Sequence, residues 1–282
     1  MTPPFLDPPP FEGAPAIAVI PVPYDGSSTW VKGADLGPAA ILDASAQVEW
    51  YDIQTRTEVH THGIVTRDPV NCDGSPDELA PRVERAVGRE LDAGRFPVVL
   101  GGEHSVSIGA FRAVVARHPD VTILQIDAHA DTRERYHGSA SNHACVMARA
   151  REMAPIVQVG IRSMEADEAE RIDHDRVVYA HDIAGHDTDA WIERVTLMLT
   201  RKVYVTIDMD AFDPALVPAT GTPEPGGLTW WQVDRLLRAV CDRSQVVGFD
   251  VVELCPSEGQ HASDFVAAKL VHRFLSEIFV RR

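Results

Sequence analysis

The run Leu124-Gln125-Ile126-Asp127-Ala128-His129-Ala130-Asp131 places three metal-capable side chains at alternate positions directly behind an apolar stretch. Val121, Ile123, Leu124 and Ile126 follow the breaker Pro119, the pattern of a strand buried on both faces. Side chains alternate in direction along a strand, so Asp127, His129 and Asp131 can converge beyond its end while the two alanines keep the space between them open. Charge on a buried strand is costly unless it is paired or coordinates a metal. The chemistry such a trio offers is metal binding; the plainer reading is a solvated Asp/His-rich turn.

Three more segments share this form. Gly101-Gly102-Glu103-His104-Ser105 follows the apolar run 96–100, and Asp250-Val251-Val252-Glu253 ends the run 246–252. Thr206-Ile207-Asp208-Met209-Asp210-Ala211-Phe212-Asp213-Pro214 closes the run 203–207. Side by side at strand ends, His104, Asp127, His129, Asp131, Asp208, Asp210 and Glu253 carry too many carboxylates for one face without cations. Two metal ions resolve the electrostatics, because a carboxylate can bridge them. The assignment places His104, Asp131, Asp127 and Asp208 on one ion and His129, Asp210, Asp127 and Asp208 on the other, with Asp127 and Asp208 bridging. Four carboxylates with two imidazoles and no thiolate suit a hard ion such as Mn²⁺ better than a structural zinc. Taken singly, His104 reads as a helix-start residue beside the N-cap Ser105, Asp208 and Asp210 as turn residues, and Glu253 as an ion-pair partner.

The elements that must position these groups follow from periodicity. Strands are expected over residues 16–22, 96–100, 121–126, 156–159, 177–179, 203–207 and 246–252. Helices are expected over 39–51, 81–93, 106–117, from 143, then over 165–171, 190–199 and 230–241. A terminal helix carries Val266, Leu270, Phe274 and Ile278 at successive i+4 positions. Such alternation implies a parallel sheet of about eight strands covered by helices. A closed barrel and an open doubly wound sheet both satisfy it, and both bind ligands at the carboxyl ends of their strands. Residues 1–15, rich in proline, read as an extended arm or partly disordered tail ahead of one domain over 16–282. The loops 132–142 and 211–227 are long enough to be functional.

Asp plus Glu number 42 against 26 Lys plus Arg, a formal charge of −16, which argues against nucleic acid or an anionic membrane as partner. Cys72, Cys145, Cys241 and Cys255 are scattered, as expected of free thiols in a reducing compartment. The proline-rich start lacks the basic and apolar regions of a signal peptide, and no apolar run has the length of a membrane span, so the expected address is the cytoplasm. His60, His62, His174, His181 and His186 read as surface or loop residues.

In their order and spacing the four segments resemble the ureohydrolase family of arginase and agmatinase. The resemblance runs from about Pro21 to near the C-terminus and takes in Ala219-Thr220-Gly221-Thr222-Pro223 and Gly226-Gly227. It implies a single three-layer α/β/α domain with a parallel sheet, hydrolysis of a guanidino compound to urea and an amine, two Mn²⁺ per subunit and a homo-oligomer, trimer or hexamer. Glu253 matches the family's guanidinium-binding glutamate, His143 its mobile-loop, proton-shuttling histidine, and Thr222 its substrate-side threonine. Asp210 would help pass a proton to the leaving nitrogen. His143, Asp210 and Glu253 are therefore the expected catalytic residues, and His143, Thr222 and Glu253 the expected substrate contacts.

Glu103, where arginases carry Asp, and Gln158-Val159-Gly160-Ile161-Arg162-Ser163 look more like agmatinases. Thr132-Arg133-Glu134-Arg135 stands where arginases carry Asn-Thr-Pro to hold the α-amino acid end of the substrate. The expected substrate is a small cationic guanidine, first agmatine, giving putrescine, with aminopropylagmatine as the alternative amine. Arg133 and Arg135 keep guanidinobutyrate and formiminoglutamate open, and arginine is disfavoured. Asn142-His143-Ala144-Cys145 departs from the commoner His-Gly-Thr of agmatinases, which bears on the substrate loop. A non-catalytic pseudoenzyme should have lost metal ligands, and none is lost; a metal-dependent deacetylase on a related fold is a third alternative.

Overall fold

The computed structural model describes residues 2–184 and 189–282; His186 lies outside them. Among the described residues the main sheet has eight strands: β1 Ile17–Val22, β2 Ile64–Thr66, β3 Phe96–Gly101, β4 Val121–Ile126, β5 Ile156–Ile161, β6 Val177–Tyr179, β7 Lys202–Asp208 and β8 Gln245–Val252. They pair in parallel in the order 2-1-3-8-7-4-5-6. The sheet is open, not a barrel. Its alternate side chains feed two cores: Val121, Ile123 and Tyr204 pack with Val83, Phe111, Val114 and Met147 on one face. Leu124, Ile126, Val205 and Ile207 pack with Ile41, Val233, Leu236, Leu270 and Phe274 on the other. Helices on both faces make three layers, as expected from the family resemblance.

Most expected elements occur within a residue or two of their expected ends, and two helices do not. The helix after Pro38 spans Gly37–Ser45 and does not reach Tyr51. Ser45 Oγ there takes the Leu6 N–H at 2.9 Å and donates to the Leu42 carbonyl at 2.7 Å, and the chain turns into a small hairpin pairing Tyr51–Asp52 with Thr57–Glu58. The next helix starts at Pro76, not Pro81, because Ser75 and Glu78 form a reciprocal capping box and Pro76 stands where its missing N–H costs nothing. Pro81 lies inside it. The proline-rich start is anchored at Phe5 and Leu6, both buried in the larger core, by Phe5 N–H to Thr66 Oγ1 at 2.8 Å and Trp50 Nε1–H to the Leu6 carbonyl at 2.9 Å.

Candidate metal centre and active site

The four chemistry-bearing segments follow β3, β8, β7 and β4, which are consecutive neighbours in the middle of the sheet. Sheet order therefore brings together residues separated by up to 149 positions in sequence, as in the 2.7 Å bond from His104 N–H to Glu253 Oε1. Gly102 is required where β3 ends, since a Cβ there would collide with the Tyr24 backbone carbonyl. The loop after β1 is pinned over the site by the buried Glu103, which accepts Ser27 N–H at 2.5 Å, Ser28 N–H at 2.9 Å and the Ser105 hydroxyl at 2.5 Å.

His104 Nδ1 lies 3.1 Å from Asp127 Oδ2, 3.1 Å from Asp131 Oδ2 and 3.4 Å from Asp208 Oδ2. His129 Nδ1 lies 2.9 Å from Asp210 Oδ2 and 3.8 Å from Asp127 Oδ1. Two groups of ligand atoms result, His104 with Asp127 and Asp208, and Asp127 with His129 and Asp210, each gathered within 4.8 Å. Asp127 belongs to both. Asp208 belongs to the first, with its Oδ1 taking the Asp210 N–H at 2.9 Å.

The electrostatics of the cluster are set by burial and by the mutual charges of its members. Burial drives the Asp127 carboxyl up to about 7, helped by the charge of Asp210, and drives Asp208 well above the carboxylate range in the same way. Burial alone would lower the two imidazoles; the surrounding aspartates outweigh it, holding His129 up to about 11 and His104 well above its usual value. Asp210 goes the other way, to about 2, because His129 more than offsets its desolvation. No Lys or Arg side chain pairs with these aspartates among the described residues. His104 Nδ1 is buried without a hydrogen-bond partner while facing three carboxylates, the environment of a metal ligand.

A second set of residues fixes the ligands. Thr206 Oγ1 stands 2.9 Å from His104 Nε2 and donates to Asp250 Oδ1 at 2.5 Å, while Tyr204 donates to Asp250 Oδ2 at 2.9 Å. With Thr206 oxygen accepting, Nε2 carries the proton and Nδ1 is left free for an ion. Gln125 Nε2 donates to Asp127 Oδ2 at 2.6 Å and is itself positioned by Gln158 at 2.5 Å. Arg162 spends its guanidinium on backbone carbonyls, at 2.7 Å to Asp210 and 2.8 Å to Glu224, and so ties the loop after β7 to the loop after β5. Sequence reasoning did not assign Thr206, Gln125 or Arg162 a role. The signal for the first two was a polar residue inside an apolar strand; Arg162 gave none, since its partners are main-chain atoms of distant loops.

Asp131 and Glu253 hold left-handed backbone, φ 52° and 62°, which costs free energy for non-glycine residues and is concentrated at functional positions. A cavity of about 410 Å³ opens on the cluster and is lined by His129, Asp131, Asp208, Asp210, His143, Thr222 and Glu253 together with Trp30, Arg133, Tyr136 and Glu165. His104 and Asp127 lie beneath it, fully buried or nearly so. The nine residues expected as metal ligands, catalytic groups and substrate contacts are thus brought together, seven in the cavity lining and His104 and Asp127 beneath it. Arg135 is not among the lining residues; it donates to the Gly138 carbonyl of its own loop.

An open parallel sheet that delivers two carboxylate-rich ligand groups to one cavity makes this an α/β protein with a candidate two-metal centre. The comparisons with known proteins are specific. A model of the arginase family matches residues 15–276. The N(1)-aminopropylagmatine ureohydrolase of Synechocystis sp. is 38% identical over 271 residues, covering 92% of this chain and 88% of that protein. The agmatinase of Pyrococcus horikoshii is 33% identical over 262 residues, covering 90% and 88%. The crystal structure of the agmatine ureohydrolase of Thermoplasma volcanium superposes with a TM-score of 0.87 at 33% identity, covering 94% of this chain and 90% of that one. The chain belongs to the arginase family and is one of its ureohydrolases, hydrolases of guanidino compounds, as the four segments led us to expect.

Proposed function

We propose that this ureohydrolase binds two Mn²⁺ ions and cleaves a guanidine with an amine tail, agmatine or its aminopropyl derivative, to urea and the free amine. The observation that carries the reading is the pair of ligand groups sharing Asp127 at the floor of a cavity that also presents Glu253. The carboxylate-rich donor set supports manganese over a thiolate-seeking ion. His104, Asp131, Asp127 and Asp208 would hold one ion and His129, Asp210, Asp127 and Asp208 the other. The pair would supply charge compensation and a water acidic enough to deprotonate near neutral pH.

The chain's own groups do the rest. Glu253 Oε1 is held by the His104 N–H, and its carboxylate, lining the cavity, takes the substrate guanidinium through paired N–H donors. Asp210, an ionised carboxylate at rest, accepts a hydrogen bond from the tetrahedral intermediate and helps pass its proton to the leaving nitrogen. His143, 3.3 Å from Ser27 Oγ through Nδ1, is lowered in pKa by burial beyond what Asp131 and Glu103 restore; a neutral ring at the mouth suits proton exchange with solvent. Thr222 lines the substrate side.

An α-amino acid end finds little to hold it. Thr132 N–H and hydroxyl are both taken by Glu168 Oε1, at 2.8 and 3.0 Å. Exposed Ile53, Leu197 and Trp231 offer apolar surface for the homo-oligomer implied by the family resemblance, and the scattered cysteines suit a reducing cytoplasm. Urea release by the Mn²⁺-loaded protein from agmatine, aminopropylagmatine, arginine and guanidinobutyrate tests the substrate. We expect turnover of the amine-tailed pair; preference for arginine would overturn the reading.

A further inference from the structure

Arg133 is the one arginine or lysine side chain among the described residues lining the active-site cavity. It is the natural hand for a carboxylate at the far end of a substrate, and it is already occupied. Its Nη2 lies 3.2 Å from Glu165 Oε1, its Nε 3.5 Å from Glu168 Oε2, and its guanidinium sits 4.3 Å over the Tyr136 ring. The two glutamates are not equivalent. Glu168 is buried and committed, with Oε1 on Thr132 and Oε2 accepting the Glu165 N–H at 3.0 Å. Glu165 is more than half exposed, 58% at its side chain, and stands at the mouth. Two carboxylates against one guanidinium leave this end of the cavity with surplus negative charge.

We propose that Glu165 determines the tail class of the substrate: by neutralising Arg133 and adding its own charge, it makes the cavity select a guanidine with an ammonium tail over one with a carboxylate tail. The inference rests on the ureohydrolase reading of the same site and concerns the substrate's tail, not its reacting guanidinium. A cationic tail meets Glu165 directly. An anionic tail meets that charge and an arginine whose own charge is already answered by two carboxylates.

The substitution Glu165→Gln tests it, because glutamine keeps an oxygen to cap the short helix Ala166–Ala169 while losing the charge. Steady-state kcat and KM for urea release from agmatine and from 4-guanidinobutyrate are measured on the Mn²⁺-loaded wild type and variant. Partly exposed charge contacts change affinity by a few-fold each, and here two change in opposite directions. The agmatine-to-guanidinobutyrate ratio of kcat/KM should therefore fall by about tenfold, carried by KM, with kcat for agmatine largely kept. Adding Arg133→Ala to that variant should abolish the gain for guanidinobutyrate. Arg133→Ala alone should retain the amine preference, and it gives a second test should Glu165→Gln fold poorly.

An unchanged ratio in Glu165→Gln, or a rise in guanidinobutyrate turnover with Arg133→Ala alone, overturns the proposal. A wild type that prefers guanidinobutyrate overturns it together with the amine tail of the proposed substrate, while metal-dependent release of urea from a guanidine stands. A wild type that binds manganese and releases urea from neither compound instead defeats the reading underneath.

Discussion

Among the described residues, two buried clusters of acidic side chains differ in what answers their charge. Between the small hairpin and the helices Trp230–Arg243 and Ala262–Phe279, Arg273 reaches Asp52 at 3.4 Å, Asp234 at 3.0 Å and Glu277, which Arg281 also binds. At the sheet's carboxyl edge, Asp127, Asp131, Asp208 and Asp210 have two imidazoles and no guanidinium. The histidines report the difference. His272, beside the first cluster, is pushed down to about 4 by burial and by Lys269, 3.2 Å away, whereas His129 in the second is held up to about 11. A cluster neutralised from within the chain is architecture; one that leaves its charge unanswered is built for a cation from outside.

Exchanging the partners should break the comparison in opposite directions. Asp208→Asn removes a proposed metal ligand and should lower urea release by about a thousandfold, several kcal/mol of transition-state stabilisation, in a steady-state assay with excess Mn²⁺. The metal-free variant should be no less stable than wild type, since a repelled buried carboxylate is gone. Arg273→Ala should leave metal stoichiometry unchanged by elemental analysis and cost about 3–5 kcal/mol of stability in equilibrium denaturation, because three buried carboxylates lose their shared partner.

His272 sharpens the contrast through pH. Its folded-state pKa lies below its unfolded value, so the native state favours the neutral ring; the associated stability is fully present above about 6.5 and is lost as pH falls towards 4. Up to about 3 kcal/mol should vanish across that window, and His272→Gln should flatten the stability profile there. A smaller effect is expected from Thr206→Val, which cuts the relay from Asp250 to His104. Manganese affinity should weaken by about 10–100-fold in a calorimetric titration, with the fold intact by circular dichroism.

What was legible in the sequence follows the same division. Local chemistry was clear: an apolar run ending in Asp127-Ala-His129-Ala-Asp131 declares both a buried strand and the ligands at its end. Strand order was not, because pairing is decided by packing across the whole chain, and a count of strands fits a barrel as well as an open sheet. Ile64–Thr66 went unseen, since three residues at a sheet edge carry too little periodicity. The short hairpin did too, and an extended helix was drawn through its first residue, Tyr51. The relay through Thr206 and Asp250 was hidden because each is a single polar residue in a strand, informative only once β7 and β8 are known to pair at Asp250 and Thr206. The Arg133–Glu165 contact joins loops after two different strands and has no local signature at all.

In the working enzyme two divalent ions should answer the charge at Asp127 and its neighbours. The most direct test is to strip the protein of metal and titrate it with Mn²⁺ while following urea release from agmatine and aminopropylagmatine. No turnover is expected without metal, and activity should rise to a plateau at two equivalents per chain. Undiminished turnover in the stripped protein, or a plateau at one equivalent, would contradict it.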